Sequence, residues 1–174
     1  MITVICGTNR PNSLSLSIAH YYSTLLTELG AAHQVLDLAA LPTDFTASAL
    51  YHNNGKNTDF NTLTVQIKAS DKFVFIVPEY NGSYPGVLKA FIDGLPYPSP
   101  FDGKVAALVG LSAGMQGAGP AMSHLTDVFN YLNMNVLAIK PKMAFISKHW
   151  QNNQLTNPLY VELLQKQAAL LVAH

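Results

Sequence analysis

The chain has 174 residues, 49% hydrophobic and only 11% charged, and its ten basic and ten acidic side chains cancel to a formal net charge of zero. That balance leaves no electrostatic footprint for nucleic acid or an anionic membrane, the single cysteine rules out an intrachain disulfide, and no apolar run nears the ~20 residues of a bilayer-crossing helix. The expectation is one domain over residues 1–174 with a substantial core, whose sparse charge and high apolar content favour a homodimer or homotetramer.

ITVIC (2–6) is a short β-branched apolar run and reads as a buried strand. It carries Cys6, whose apolar neighbours mark a buried, inert thiol. No charged region followed by a long apolar stretch opens the chain, so no secretory signal is read and the expected location is the cytoplasm. After polar GTNRPNS, a helical stripe runs through Leu14, Ile18, Tyr21, Leu25 and Leu29, widened by Tyr22 and Leu26. Ser13 is placed to cap it and Gly30 to stop it. HQVLDL (33–38) is a second strand, and 39–57 is a turn-rich surface loop with a helical turn near Ala47 to Leu50. Phe60, Leu63 and Ile67 mark a helix over about 58–70, and KFVFIV (72–77) is apolar on both faces, as a central parallel strand should be.

A helix follows from Pro85 to Gly94, with Lys89 and Asp93 spaced for an i,i+4 contact. KVAALVGL (104–111) is the fourth strand, and Met122, Leu125, Phe129 and Leu132 trace the next helix. NVLAI (135–139) begins the fifth strand, and KMAFIS (142–147) continues it after Pro141. KHWQNNQLTN reads as a polar turn before a last helix from about 158, marked by Tyr160, Leu163, Leu164, Gln167 and Leu171. Five strands alternating with helices predict an α/β, flavodoxin-like three-layer sandwich. Its parallel sheet has the order 2-1-3-4-5, with helices on both faces. In such a sheet ligands bind beyond the carboxyl ends of the strands, where the strand order reverses. The loops after strands one, three and four meet there, and they are rich in Gly, Ser, Asn and Tyr.

GTNRPNSLS (7–15) joins a strand to a helix N-terminus, where unpaired N–H groups and the helix dipole favour an anion. Thr8, Asn9, Ser13 and Ser15 add donors. Arg10, the only arginine in the chain, adds a planar fork suited to phosphate. GxxxxGK[ST] is absent, which argues against nucleotide hydrolysis, and no GxGxxG follows the first strand. The glycines at 114, 117 and 119 read as a close backbone approach to a ligand. In PEYNGS (78–83), Tyr80 offers an aromatic face, Asn81 a donor and an acceptor, Gly82 close access and Ser83 a cap. A plain structural turn also fits that loop alone. Beside a phosphate loop, a phosphate-tailed planar cofactor is the economical reading, and flavin mononucleotide (FMN) has that shape. The six histidines are scattered, so no metal site is read.

GTNRPNS and PEYNGSYPGVLKAFID resemble the NADPH-dependent FMN reductase family, which includes quinone and chromate reductases. The resemblance spans roughly 1–147. It implies that Thr8, Arg10 and Ser13 hold the FMN phosphate. Ser15 stands where the family often has Asn, with a hydroxyl that still donates. It implies ring contacts for Pro78, Glu79, Tyr80, Asn81 and Gly82, and places Ser112, Ala113 and Gly114 over the pyrimidine end. Many relatives carry an arginine just after the glycines, where Pro120 and Ala121 stand here, so no contact of that arginine is carried over. The implied activity is a ping-pong transfer in which NADPH or NADH reduces the flavin and a small acceptor (quinone, flavin, azo dye or metal oxyanion) reoxidises it. The flavin carries the chemistry, and no side chain is assigned as a catalytic acid. The alternatives are a flavodoxin-like electron carrier, against which the balanced charge argues, and a flavin-binding or flavin-free domain without turnover.

Overall fold

The computed structural model describes residues 1–174. Strand β1 (Ile2–Cys6) lies between β2 (His33–Asp37) and β3 (Lys72–Pro78), and β3 pairs on to β4 (Val105–Leu111). All these pairings are parallel, and with β5 (Asn135–Val136) beside β4 the order is β2-β1-β3-β4-β5, as the alternation of elements predicts. Side chains on β3 alternate between two cores. Phe73, Phe75 and Val77 face a layer built from α3 (Thr58–Lys68), α4 (Gly86–Gly94) and α5 (Gly119–Tyr131), rich in phenylalanine. Val74 and Ile76 face an aliphatic layer built from α1 (Leu14–Glu28) and α6 (Pro158–Ala173). No helix is long and apolar enough to cross a membrane.

Helix α1 begins where Ser13 Oγ accepts the Leu16 N–H at 3.2 Å and ends before Gly30, whose φ of +68° suits a residue without Cβ. Its buried face is Ser15, Ile18, Ala19, Tyr22, Leu25 and Leu26, while Leu29 is exposed. Ile18, Tyr22, Leu25 and Leu26 of the expected stripe are buried, and small Ser15 and Ala19 join the inward face in place of Leu29. The 39–57 segment also differs from a surface loop. It forms a short helix, α2 (Phe45–Ser48), flanked by 3₁₀ turns, and buries Phe45, Ala49 and Leu50 against the phenylalanine core.

The fifth strand is broken. Its first piece, β5 (Asn135–Val136), pairs with the start of β4, and its second, β6 (Lys142–Met143), pairs with the end. Residues 138–140 swing away, and the carboxamide of Gln167 on α6 fills the gap. Its Nε2 donates to Leu108 O at 2.9 Å and to Ile139 O at 2.7 Å. After a 3₁₀ turn (Ile146–Lys148), the polar turn is a small antiparallel hairpin of β7 (Trp150–Gln151) and β8 (Gln154–Leu155). Asn152 and Asn153 form its corner at φ +49° and +60°.

Candidate functional site

Where the strand order reverses, β1 and β3 send their following loops to opposite sides and leave a crevice between them. Gly7 opens the first loop against β3. Its N–H donates to Ile76 O at 2.9 Å, and a Cβ there would stand 2.7 Å from that oxygen. The first and third loops are joined by a 2.8 Å bond between Thr8 Oγ1 and the Tyr80 hydroxyl, and the Arg10 N–H donates to Thr8 Oγ1 at 3.3 Å. Tyr80 and Ser83 exchange backbone bonds of 2.8 and 3.0 Å around Asn81 and Gly82, at φ +52° and +75°. That is the primed two-residue hairpin turn, which Asn-Gly favours. The third loop is held to the fourth as well, because the Ala118 N–H donates to Glu79 Oε2 at 3.1 Å. Ser112 Oγ organises the fourth loop by donating to Gly114 O at 2.8 Å and accepting the Gly117 N–H at 2.9 Å.

These loops enclose a cavity of about 320 Å³ lined by Arg10, Ser15, Pro78, Glu79, Tyr80, Ser112 and Ala113. Five other residues singled out in the sequence stand around it. Thr8 and Ser13 are buried beneath the first loop, Asn81 and Gly82 form the exposed turn corner, and Gly114 is exposed on the fourth loop. Gly117 makes its close approach to the chain itself, since a Cβ there would meet the Lys142 backbone at 2.7 Å. Sequence reasoning missed Leu14, Leu111, Ile146 and Ser147, which also line the cavity. The last two arrive only because the turn after β6 folds back over the carboxyl end of β4, where the Ile146 N–H donates to Ser112 O at 3.1 Å. No local pattern in KMAFIS announces that turn.

The polar groups of the crevice fit a phosphate-tailed ligand. Ser15 Oγ is buried and has no partner in the chain, an arrangement that costs about 1–3 kcal/mol unless a ligand satisfies it. The N–H groups of Ser13, Leu14 and Ser15 at the α1 N-terminus also lack partners, as the first turn of any helix does unless something caps it. Arg10 is exposed and pairs with no carboxylate. Beneath the loop, burial pushes the Cys6 thiol up to about 11, against the smaller opposite pull of its contacts with the Ser13 hydroxyl and the Thr8 carbonyl. The thiol therefore stays protonated and offers no nucleophile. A larger hollow of about 460 Å³ between α4 and α5 is lined mainly by apolar groups such as Ile92, Val128 and Leu132, with the Lys89–Asp93 pair already closed at 2.7 Å. The crevice, by contrast, holds the open Ser15 hydroxyl and helix N–H groups, while the other unpartnered hydroxyl, that of Tyr22, is buried in the aliphatic core.

A sequence model of the family described as NADPH-dependent FMN reductase matches residues 1–149. A 2-hydroxy-1,4-benzoquinone reductase from Burkholderia sp is 32% identical over 149 residues, which is 82% of this chain and 76% of that protein. An FMN-dependent NADPH-azoreductase from Staphylococcus saprophyticus is 30% identical over 125 residues, 70% of this chain and 65% of that protein. Among solved structures, the flavoenzyme NAD(P)H:(acceptor) oxidoreductase of Paracoccus denitrificans superposes with a TM-score of 0.80 at 26% identity, over 99% of this chain and 94% of that one. A match that runs from the first strand to the end of the cavity-forming turn assigns the chain to the NADPH-dependent FMN reductase family.

Proposed function

We propose that this protein holds FMN in the β1–β3 crevice and uses it to pass electrons from NADPH or NADH to a small acceptor. The observation that carries the reading is the buried, unpartnered Ser15 hydroxyl beside the open N–H groups of the α1 N-terminus. Those groups, with Thr8, Arg10 and Ser13, would hold the phosphate. Pro78, Glu79 and Tyr80 would lie against the ring, with Asn81 and Gly82 at its margin, and Ser112, Ala113 and Gly114 would meet its pyrimidine end. The bound flavin would supply reversible two-electron chemistry.

The chain's part is positional. The Thr8–Tyr80 bond and the Glu79–Ala118 bond fix the loops relative to one another before any ligand arrives, so little ordering is needed on binding. Donor and acceptor would each lie over the ring from the crevice mouth and use that place in turn, a ping-pong cycle. Quinones and azo compounds are the acceptor classes that the names of similar proteins suggest. Exposed Tyr97 and Tyr131 at the α4–α5 hollow support a homo-oligomer built on that face.

Anaerobic titration tests the reading. Protein reconstituted with FMN should hold it through gel filtration and lose its flavin absorbance on adding NADPH or NADH. Bleaching only by a separate reductase protein would mark an electron carrier, and no flavin uptake would remove the proposal.

A further inference from the structure

Phe145 is a bulky residue in the left-handed region, at φ +47°, where glycine or asparagine is accommodated at less cost. The backbone there serves a purpose. The Phe145 N–H donates to Gly114 O at 3.0 Å, tying the turn after β6 to the fourth loop. The residue is 38% exposed, so part of the ring is open to a ligand. The residues on either side of this tie, Ala113, Ile146 and Ser147, line the crevice. Lys148 Nζ stands 5.0 Å from the Phe145 ring centroid, which holds a cation against an aromatic face. Lys148 has no carboxylate partner. The acidic lining residue, Glu79, is bonded to the Ala118 N–H. With Arg10 given to the phosphate, Lys148 is the cation without a carboxylate partner next to the lining residue Ser147.

We propose that Phe145 and Lys148 form an acceptor-selecting lip that favours planar quinones bearing a sulfonate or carboxylate over neutral ones. This rests on the FMN reading and names the substrate class for that site. The ring provides a flat apolar contact, and the ammonium held over it meets the anionic substituent.

The test uses oxidised, FMN-loaded protein, which binds a quinone without reducing it. Dissociation constants for 1,4-naphthoquinone and its 2-sulfonate are read from the flavin difference spectrum. The sulfonate should bind more tightly, and Lys148→Gln should shrink that preference about fivefold, the size of one exposed charge contact. Adding 0.5 M salt to the unmodified protein should shrink it similarly. Phe145→Leu should weaken both quinones about three- to tenfold, the loss of one aromatic contact. Circular dichroism and flavin content confirm that each variant is folded and loaded. Equal binding of the two quinones, or a Lys148→Gln protein with its preference intact, overturns the lip alone. Protein that takes up no FMN removes the lip together with the reading beneath it.

Discussion

At the broken edge of the sheet, Gln167 donates to both Leu108 O and Ile139 O, and the gap left by the missing strand residues is closed from within the chain. In the crevice between β1 and β3, the buried Ser15 hydroxyl and three helix N–H groups are left without partners. Both places interrupt regular pairing, and both bury polar atoms. The difference is in who satisfies them. A buried polar group that serves only the fold is as a rule answered by the fold, the Tyr22 hydroxyl and Gln167 Oε1 being exceptions. One left open next to a cavity lined by aromatic and hydroxyl groups marks a place for a ligand. Substitutions on the two sides should therefore separate folding from binding.

The largest effect belongs to Gln167→Leu. It leaves two backbone carbonyls under α6 without donors, so urea denaturation should show a loss of about 2–4 kcal/mol. The variant also removes the Gln167 Oε1, which has no partner, and this keeps the loss below that of a fully satisfied network. FMN affinity of the folded fraction should stay within about twofold, because Gln167 bonds Leu108 and Ile139, neither of which lines the cavity. A protein as stable as the parent would mean that the edge is not held by Gln167.

Arg10→Ala is next in size and acts on binding alone. The guanidinium addresses phosphate, so FMN should bind about 10- to 100-fold more weakly, the range for a charge-assisted contact. Riboflavin, which lacks the phosphate, should lose little. Equal losses for the two flavins would refute the assignment of Arg10 to the phosphate. The exposed side chain makes no contact that folding depends on, so the urea midpoint should not move.

The contrast also separates what the sequence makes legible from what it does not. The central strands are readable because a parallel strand buried on both faces must be apolar throughout, as Lys72–Pro78 and Val105–Leu111 are. The Asn81-Gly82 corner and the Ser13 cap are readable because their chemistry is local. The role of Gln167 is not readable, since a glutamine on a helical stripe says nothing about a gap 59 residues away in the chain. The depth of Ser15 is hidden for a related reason. Small residues give a weak hydrophobic signal, so the large residues alone draw the inward face of α1 incompletely. Ile146 and Ser147 join the cavity only through the tertiary turn after β6, and an apolar run gives no sign of it.

Ser15→Ala is the smallest change and the sharpest test, because its two effects should have opposite signs. In the ligand-free protein the hydroxyl is buried and unpaired, so deleting it removes a desolvation penalty and breaks no bond. Stability without FMN should hold or rise by up to about 1 kcal/mol. Ser15 makes no other side-chain hydrogen bond, and alanine suits the first turn of a helix. With FMN present the balance should reverse: the lost donor should weaken binding about fivefold, and the ligand-induced rise in unfolding midpoint should shrink accordingly. If Ser15→Ala instead destabilised the empty protein, the hydroxyl would have a structural partner, and the crevice would resemble the Gln167 edge in closing on itself. If neither stability nor FMN affinity moved, the hydroxyl would face neither ligand nor fold, and the phosphate assignment would have to rest on Arg10 and the helix N–H groups alone.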